Sequence, residues 1–167
     1  GDIIYQKEIN IDYKDTVGVL HDKLASEGAD LLLETLIELE KGKAPRKKQD
    51  HSKASYAFKI DKTLGRIDWS KSARKIYDLV RGVNPWPGAY TKLDDEIVKI
   101  WEVSIANKDF STGDIGEIIK SNVNDGIIVQ TGKGYLRIDV LQLPGKKRMK
   151  TEDYLRGNSI PVGKKFL

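Results

Sequence analysis

Two prolines flanking a tryptophan, in Asn84-Pro85-Trp86-Pro87-Gly88, constrain the layout of everything around them. Neither ring can continue a helix, and each pushes the residue before it out of the helical region. Upstream, after Asp68-Trp69-Ser70, the residues Ala73, Ile76, Tyr77 and Val80 recur at helical spacing. Arg74, Asp78 and Arg81 fall on another face of that helix, at i, i+4 and i+7. Downstream the period changes to two. Short strands are predicted at 89–93, 97–105, 116–120, 127–131 and 135–143, with turns at Asp94-Asp95, Asn124-Asp125-Gly126 and Gly132-Lys133-Gly134. Leu136, Ile138 and Val140 alternate with Arg137 and Asp139, as a half-buried strand requires. Trp86, at the rigid corner, is expected to bury its indole and anchor the helix onto the strands.

Five short strands with one helix before them and one after, around 151–157, fit a mainly β, OB-like Greek-key barrel with flanking helices over residues 63–167. The first 42 residues read differently. Asp2 to Ile9 has the composition of an interior strand. Residues 15–42 read as two helices: Asp15 or Thr16 caps the first, Val17, Leu20 and Leu24 line it, and Gly28 breaks it. The second carries Leu32, Leu33, Leu36, Ile37 and Leu39 on one stripe and stops at Lys41-Gly42. A strand and two helices are too little for a domain, and this leucine face needs a sheet that the chain does not contain. Residues 1–42 are therefore expected to be an α/β remnant of a larger domain, and the chain a fragment, since Gly1 is not a start methionine. Residues 43–62 lose helical period, carry Pro45 and two serines, and suit an extended linker, ending in a β-like patch at Tyr56-Ala57-Phe58-Lys59-Ile60.

Charge separates the same three sections. Residues 1–40 hold 3 basic and 10 acidic side chains, residues 41–62 hold 8 and 2, and residues 63–167 hold 18 and 13. The basic sections point to a polyanionic partner or, more plainly, to a lysine-rich solvated surface. No cysteine is present, which excludes disulfides, thiol catalysis and thiolate metal sites. His21 and His51 have no metal-ligand spacing to other donors, no phosphate loop or nucleophile elbow occurs, and Gly132-Lys133-Gly134 is a hairpin turn. No apolar run is long enough to span a membrane. A cytoplasmic protein without membrane, metal or active site of its own is expected. The more specific feature is Gly145-Lys146-Lys147-Arg148, after the last strand: adjacent cations repel unless an anion screens them, and each of the three suits a backbone phosphate. With Arg46, Lys47 and Lys48 in the linker and Arg74 and Arg81 on the helix, they form the candidate nucleic-acid-binding set. Aromatics are sparse on the strands, so shape and backbone recognition of a folded RNA fits better than single-strand reading.

Arg81-Gly82-Val83-Asn84-Pro85-Trp86-Pro87-Gly88-Ala89-Tyr90-Thr91 resembles the signature at the start of the C-terminal domain of methionyl-tRNA formyltransferases. Leu141-Gln142-Leu143-Pro144-Gly145-Lys146-Lys147-Arg148-Met149, with Asp153-Tyr154-Leu155-Arg156-Gly157, resembles that family's final segment. Gly1-Asp2-Ile3-Ile4, the leucine-rich helices, Tyr56-Ala57-x-Lys59-Ile60 and Ile67-Asp68-Trp69 follow in the family's order. The resemblance implies a Rossmann-like catalytic domain ending near residue 42, a linker over 43–62 and an OB-like tRNA-binding domain over 63–167. It implies formyl transfer from 10-formyltetrahydrofolate to the methionyl amino group of initiator tRNA in translation initiation, by a complete enzyme expected to be monomeric. It also places the catalytic Asn, His and Asp and the folate segment before Gly1, so no catalytic or cofactor-binding residue is carried onto this chain. Two other readings stay open: a stand-alone RNA-binding module, and the C-terminal part of a sugar-nucleotide formyltransferase.

Overall fold

The structure is a computed structural model that describes residues 1–107 and 110–167. The chain divides into two compact units, Gly1–Lys59 and Ile60–Leu167.

In the first unit a single helix, α1 (Val17–Glu40), replaces the two expected. Thr16 caps it by accepting from the Val19 N–H, and Gly42 leaves it in the left-handed region. Gly28 does not break it. A mid-helix glycine costs about 1 kcal/mol relative to alanine, and the flanking Leu, Ala and Glu residues outweigh one such loss. Nor does a strand form at the N-terminus. Only Ile3 pairs, exchanging both backbone hydrogen bonds with Lys47, because a strand pattern without a neighbouring ladder has nowhere to send the rest of its N–H and C=O groups. Lys7 reaches Glu27, and Lys23 bridges Asp12 and Asp15 at 3.1 and 2.7 Å, tying the N-terminal segment to α1. No residue of α1 is buried, and Leu32, Leu33, Leu36, Ile37 and Leu39 are all exposed. Toward the end of this unit, Tyr56 and Phe58 are exposed and meet edge to face with ring centroids 4.9 Å apart, without forming a strand.

The second unit is built around an antiparallel sheet. Its strands are β1 (Ala89–Leu93), β2 (Glu96–Ala106), β3 (Ile118–Asn122), β4 (Gly126–Gln130), β5 (Tyr135–Gln142) and the two-residue β6 (Met149–Lys150). The order is β1-β2-β5-β4-β3, with β6 also paired to β5. Helix α2 (Ala73–Gly82), capped by Ser72, buries Ala73, Ile76, Tyr77 and Val80 in a core with Val98, Ile100, Leu136 and Ile138, as its periodicity predicts. A short helix, α3 (Thr151–Gly157), contributes Leu155.

The C-terminal tail touches both outer strands. Phe166 N–H donates to the Gly116 carbonyl at 2.9 Å and Ile118 N–H to the Lys164 carbonyl at 2.8 Å, beside β3. Leu167 exchanges both backbone hydrogen bonds with Lys92 of β1 at 3.0 Å. Each edge thereby finds partners for groups that would otherwise face water. Trp69 organises the junction. Its ring stacks on Phe166 at 5.6 Å, and its indole N–H donates to Thr91 Oγ1, which in turn donates to the Leu167 carbonyl, both at 2.9 Å.

Trp86 is therefore not the anchor. It is 56% exposed, whereas Trp69 is 4% exposed. The corner itself is held by its backbone and its smaller neighbours: Asn84 is buried and donates through Nδ2 to the Trp101 carbonyl at 3.0 Å, and Gly88 N–H donates to the Val83 carbonyl at 2.8 Å. Gly88 sits at φ +83°, and its carbonyl lies where a Cβ on Gly65 would come within 2.1 Å, so neither position admits a side chain. With those fixed, the two prolines turn the indole outward.

Trp69→Ala should cost about 3–5 kcal/mol, and Trp86→Ala should stay within about 0.5 kcal/mol of the parent. Urea denaturation of both variants is the check; similar losses would contradict the assignment of Trp69 as the buried anchor.

Candidate nucleic-acid interface

The cationic loop between β5 and β6 is built on a tryptophan that the sequence reading did not single out. β2 and β5 pair Ile100 with Leu141, then Glu102 with Val140, then Val103 with Ile138. Trp101 is therefore an extra residue on β2, and Asp139 a compensating extra residue on β5. Such bulges re-aim a side chain. Here the Trp101 indole N–H donates to Gln142 Oε1 at 3.1 Å, and Gln142 Nε2 donates to the Lys146 carbonyl at 3.0 Å. Trp101 thus fixes the backbone of the loop through one intermediary. The Arg148 guanidinium lies over the Trp101 ring at 4.9 Å and pairs with Glu102 at 2.7 Å, while Lys99 Nζ stands 5.8 Å from the same ring. On its other border Trp101 meets the proline corner, through the Asn84 hydrogen bond and a contact of 3.6 Å that a Cβ on Gly88 would make with its ring.

The three cations of Lys146-Lys147-Arg148 therefore divide the work. Arg148 is tied down by an acid and an aromatic face, an arrangement worth about 0.5–1 kcal/mol at exposed sites for the ring contact alone. Lys146 and Lys147 are exposed and form no ion pair among the described residues. They carry the loop's uncompensated charge.

On α2, Arg74 and Arg81 both bond Asp78 through Nε at 2.9 Å, and their guanidinium carbons lie 5.8 and 6.0 Å from the Tyr77 ring centre. Burial pushes the Asp78 carboxyl up, but the hydrogen bonds and charges of the two arginines outweigh it and hold it below the usual carboxylate range. Both arginines thus lean on the same carboxylate and on the face of the same tyrosine. In the first unit Arg46, Lys47 and Lys48 are exposed, and the Lys47 backbone is fixed by Ile3.

Asp139 is the unusual acid. It lies 3.5 Å from Arg137, which also pairs with Glu152 at 2.7 Å. Burial pushes the Asp139 carboxyl up, and neighbouring Glu102 and Glu152 add to this, against the opposing effect of Ser104 and Arg137. Among the described residues no cluster of three or more His, Asp or Glu could hold a metal ion, and no helix is long and apolar enough to cross a membrane.

An antiparallel sheet with few helices, edged by a cationic loop, defines the class, and comparison with known proteins places it. The sequence pattern of the formyl transferase C-terminal domain matches residues 59–159. The chain belongs to that family. It is 50% identical over 170 residues to the methionyl-tRNA formyltransferase of Halothermothrix orenii, covering 99% of this chain and 54% of that protein. It is 48% identical over 163 residues to that of Clostridioides difficile, covering 98% and 52%. The chain thus spans about half the length of the curated relatives it matches, and the resemblance carried by residues 81–91 and 141–157 holds across nearly all of it. Among solved structures, HypX from Aquifex aeolicus in complex with tetrahydrofolic acid superposes with a TM-score of 0.64 at 17% identity, over 93% of this chain and 27% of that one. WlaRD, a sugar 3N-formyl transferase, gives 0.60 at 18% identity, over 88% and 51%. At such identities the likeness is one of fold.

Because the folded state holds Asp139 above its ordinary range, it binds that proton more tightly than the unfolded chain does. The charged form therefore costs stability above the folded value, and the cost disappears as pH falls into the ordinary carboxylate range. Asp139→Asn should raise the melting temperature at pH 7, and its advantage should shrink on acidification toward pH 4. A loss of stability at pH 7 that fades on acidification would instead show that Asp139 is held as a needed anion.

Proposed function

We propose that this chain is the tRNA-holding part of a methionyl-tRNA formyltransferase, the cytoplasmic enzyme that formylates the methionyl amino group of initiator tRNA. The observation that carries the proposal is the loop at 145–148, in which Trp101, Gln142 and Glu102 fix the backbone and Arg148 while Lys146 and Lys147 are left exposed. A rigid loop with two uncompensated ammonium groups is preorganised for adjacent phosphates and loses little side-chain freedom beyond the lysines themselves. Arg74 and Arg81 add a second positive surface on α2, and Arg46, Lys47 and Lys48 a third in the other unit. The names of the relatives at 50% and 48% identity support the same reading.

The domain division proposed is a catalytic-domain remnant over 1–42, a basic linker over 43–62 and an OB-like domain over 63–167. The exposed leucine face of α1 supports the remnant, since an amphipathic helix is stabilised mainly by what its apolar face packs against. The closure of both sheet edges by the C-terminal tail supports the barrel reading of the last section. No residue of this chain is assigned to 10-formyltetrahydrofolate, the formyl donor. The cleft of about 320 Å³ between the β1–β2 turn and α3 gives no charge preference that would select the donor, since Asp94 and Glu96 on its lining are matched by Lys146 and Lys164 and Lys164 pairs with Asp94. In this proposal the chain holds tRNA and does not itself transfer formyl groups.

The test is the salt dependence of initiator-tRNA binding by the chain and by Lys146→Ala/Lys147→Ala. The parent should bind with affinity falling steeply with salt, and the double variant should lose up to about 2 units of that slope. Equal slopes would remove the loop from the interface. Formyl transfer by the parent above a protein-free control would contradict the division of labour.

A further inference from the structure

The exposed indole of Trp86 lacks a structural explanation. The corner that carries it is closely held: Asn84 is buried and bonded to the Trp101 carbonyl, Gly88 is bonded to Val83, and a proline precedes and follows the indole-bearing residue. Yet the largest side chain of this rigid segment is 56% exposed, and it makes no hydrogen bond or ring contact among the described residues. A tryptophan that served packing would be turned inward, as Trp69 is.

Its surroundings are cationic. Two residues along the chain, a Cβ on Gly88 would come within 3.6 Å of the Trp101 ring, and that ring gathers Arg148 on its face and Lys99 beside it. The loop fixed by Trp101 through Gln142 displays Lys146 and Lys147. A flat apolar face on a fixed backbone, on a corner that shares Trp101 with the cationic loop, is complementary to a nucleotide: the base has a π-face to stack and the phosphates of its strand supply negative charge. A protein partner would gain nothing from the cations unless it were acidic, whereas an unpaired nucleotide uses both features at once.

We propose that Trp86 is a stacking platform for one unpaired, unstacked base of the bound RNA. This deepens the reading of the chain as a tRNA-holding module and rests on it. Stacking adds contact without releasing counterions, so it contributes affinity that salt does not remove. The platform and the lysines therefore separate experimentally.

The experiment measures initiator-tRNA binding by the full chain, with Trp86→Ala, Trp86→Phe and Lys146→Ala/Lys147→Ala, each verified as folded by thermal melting. Trp86→Ala should raise the dissociation constant roughly 5- to 100-fold with the salt slope unchanged. Trp86→Phe should recover most of the affinity. Tryptophan fluorescence of the parent should be quenched on RNA addition, and Trp86→Phe should lose that quench while still binding. Affinity of Trp86→Ala within twofold of the parent, with the parent's quench retained, would overturn the platform and leave the tRNA-holding reading intact. Absence of any tRNA binding by the parent would overturn both.

Discussion

The second unit depends on one junction, in which Trp69 stacks on Phe166 and, through Thr91, holds the Leu167 carbonyl. A five-stranded antiparallel run leaves two edges, each a row of unpaired backbone groups. The tail supplies partners to both, at Lys92 on one side and at Gly116 and Ile118 on the other. Phe166 is itself 2% exposed, so the tail is held by burial as well as by hydrogen bonds. Indole, hydroxyl and terminal carbonyl form a chain in which each polar group is satisfied by the next, and leaving any one unmet inside the core would cost about 1–3 kcal/mol. The positions of β1 relative to β3, and hence of the loops between the inner strands, follow from this closure.

A second tryptophan connects that frame to its surface chemistry. Trp101 sits at a bulge, where the ladder gives up one regular pair to point a large side chain along the sheet. Two segments separated by more than fifty residues, the proline corner and the Lys-Lys-Arg loop, both lean on it. The proline corner and the 145–148 loop are therefore joined through one residue. Arg148 is spent on structure through Glu102, and this leaves the two lysines to face solvent. The arginines of α2 are tied to structure as well, each bonding Asp78 through Nε.

Most of the second unit was legible because its pattern is local: Ala73, Ile76, Tyr77 and Val80 name the buried helix face, and strands and turns fall within a few residues of where alternation and Gly or Asp pairs put them. What the residues did not disclose depends on partners distant in sequence. The Asp2–Ile9 pattern lacked a ladder to join, and Gly28 was overruled by helix formers on both sides. Trp86 was misread because burial of an indole depends on which way a fixed corner turns, and that is set by Asn84, Gly65 and Gly88 rather than by Trp86. Trp101 left a signal that was available: buried positions run Val98, Ile100 and then Val103, and the one-residue slip marks the bulge. The matching extra residue in β5 is Asp139, after which the buried positions Val140 and Leu141 are adjacent.

The central claim is that Lys146 and Lys147, displayed by a loop fixed on Trp101, meet the backbone of the bound tRNA. Lysine-reactivity footprinting reads it most directly, by acylating the chain alone and at saturating initiator tRNA and quantifying modification at each lysine. Lys146 and Lys147 should be strongly protected by the RNA, while Lys165, paired with Asp114 beside β3, should be unchanged. Full reactivity of Lys146 and Lys147 in the saturated complex would contradict it.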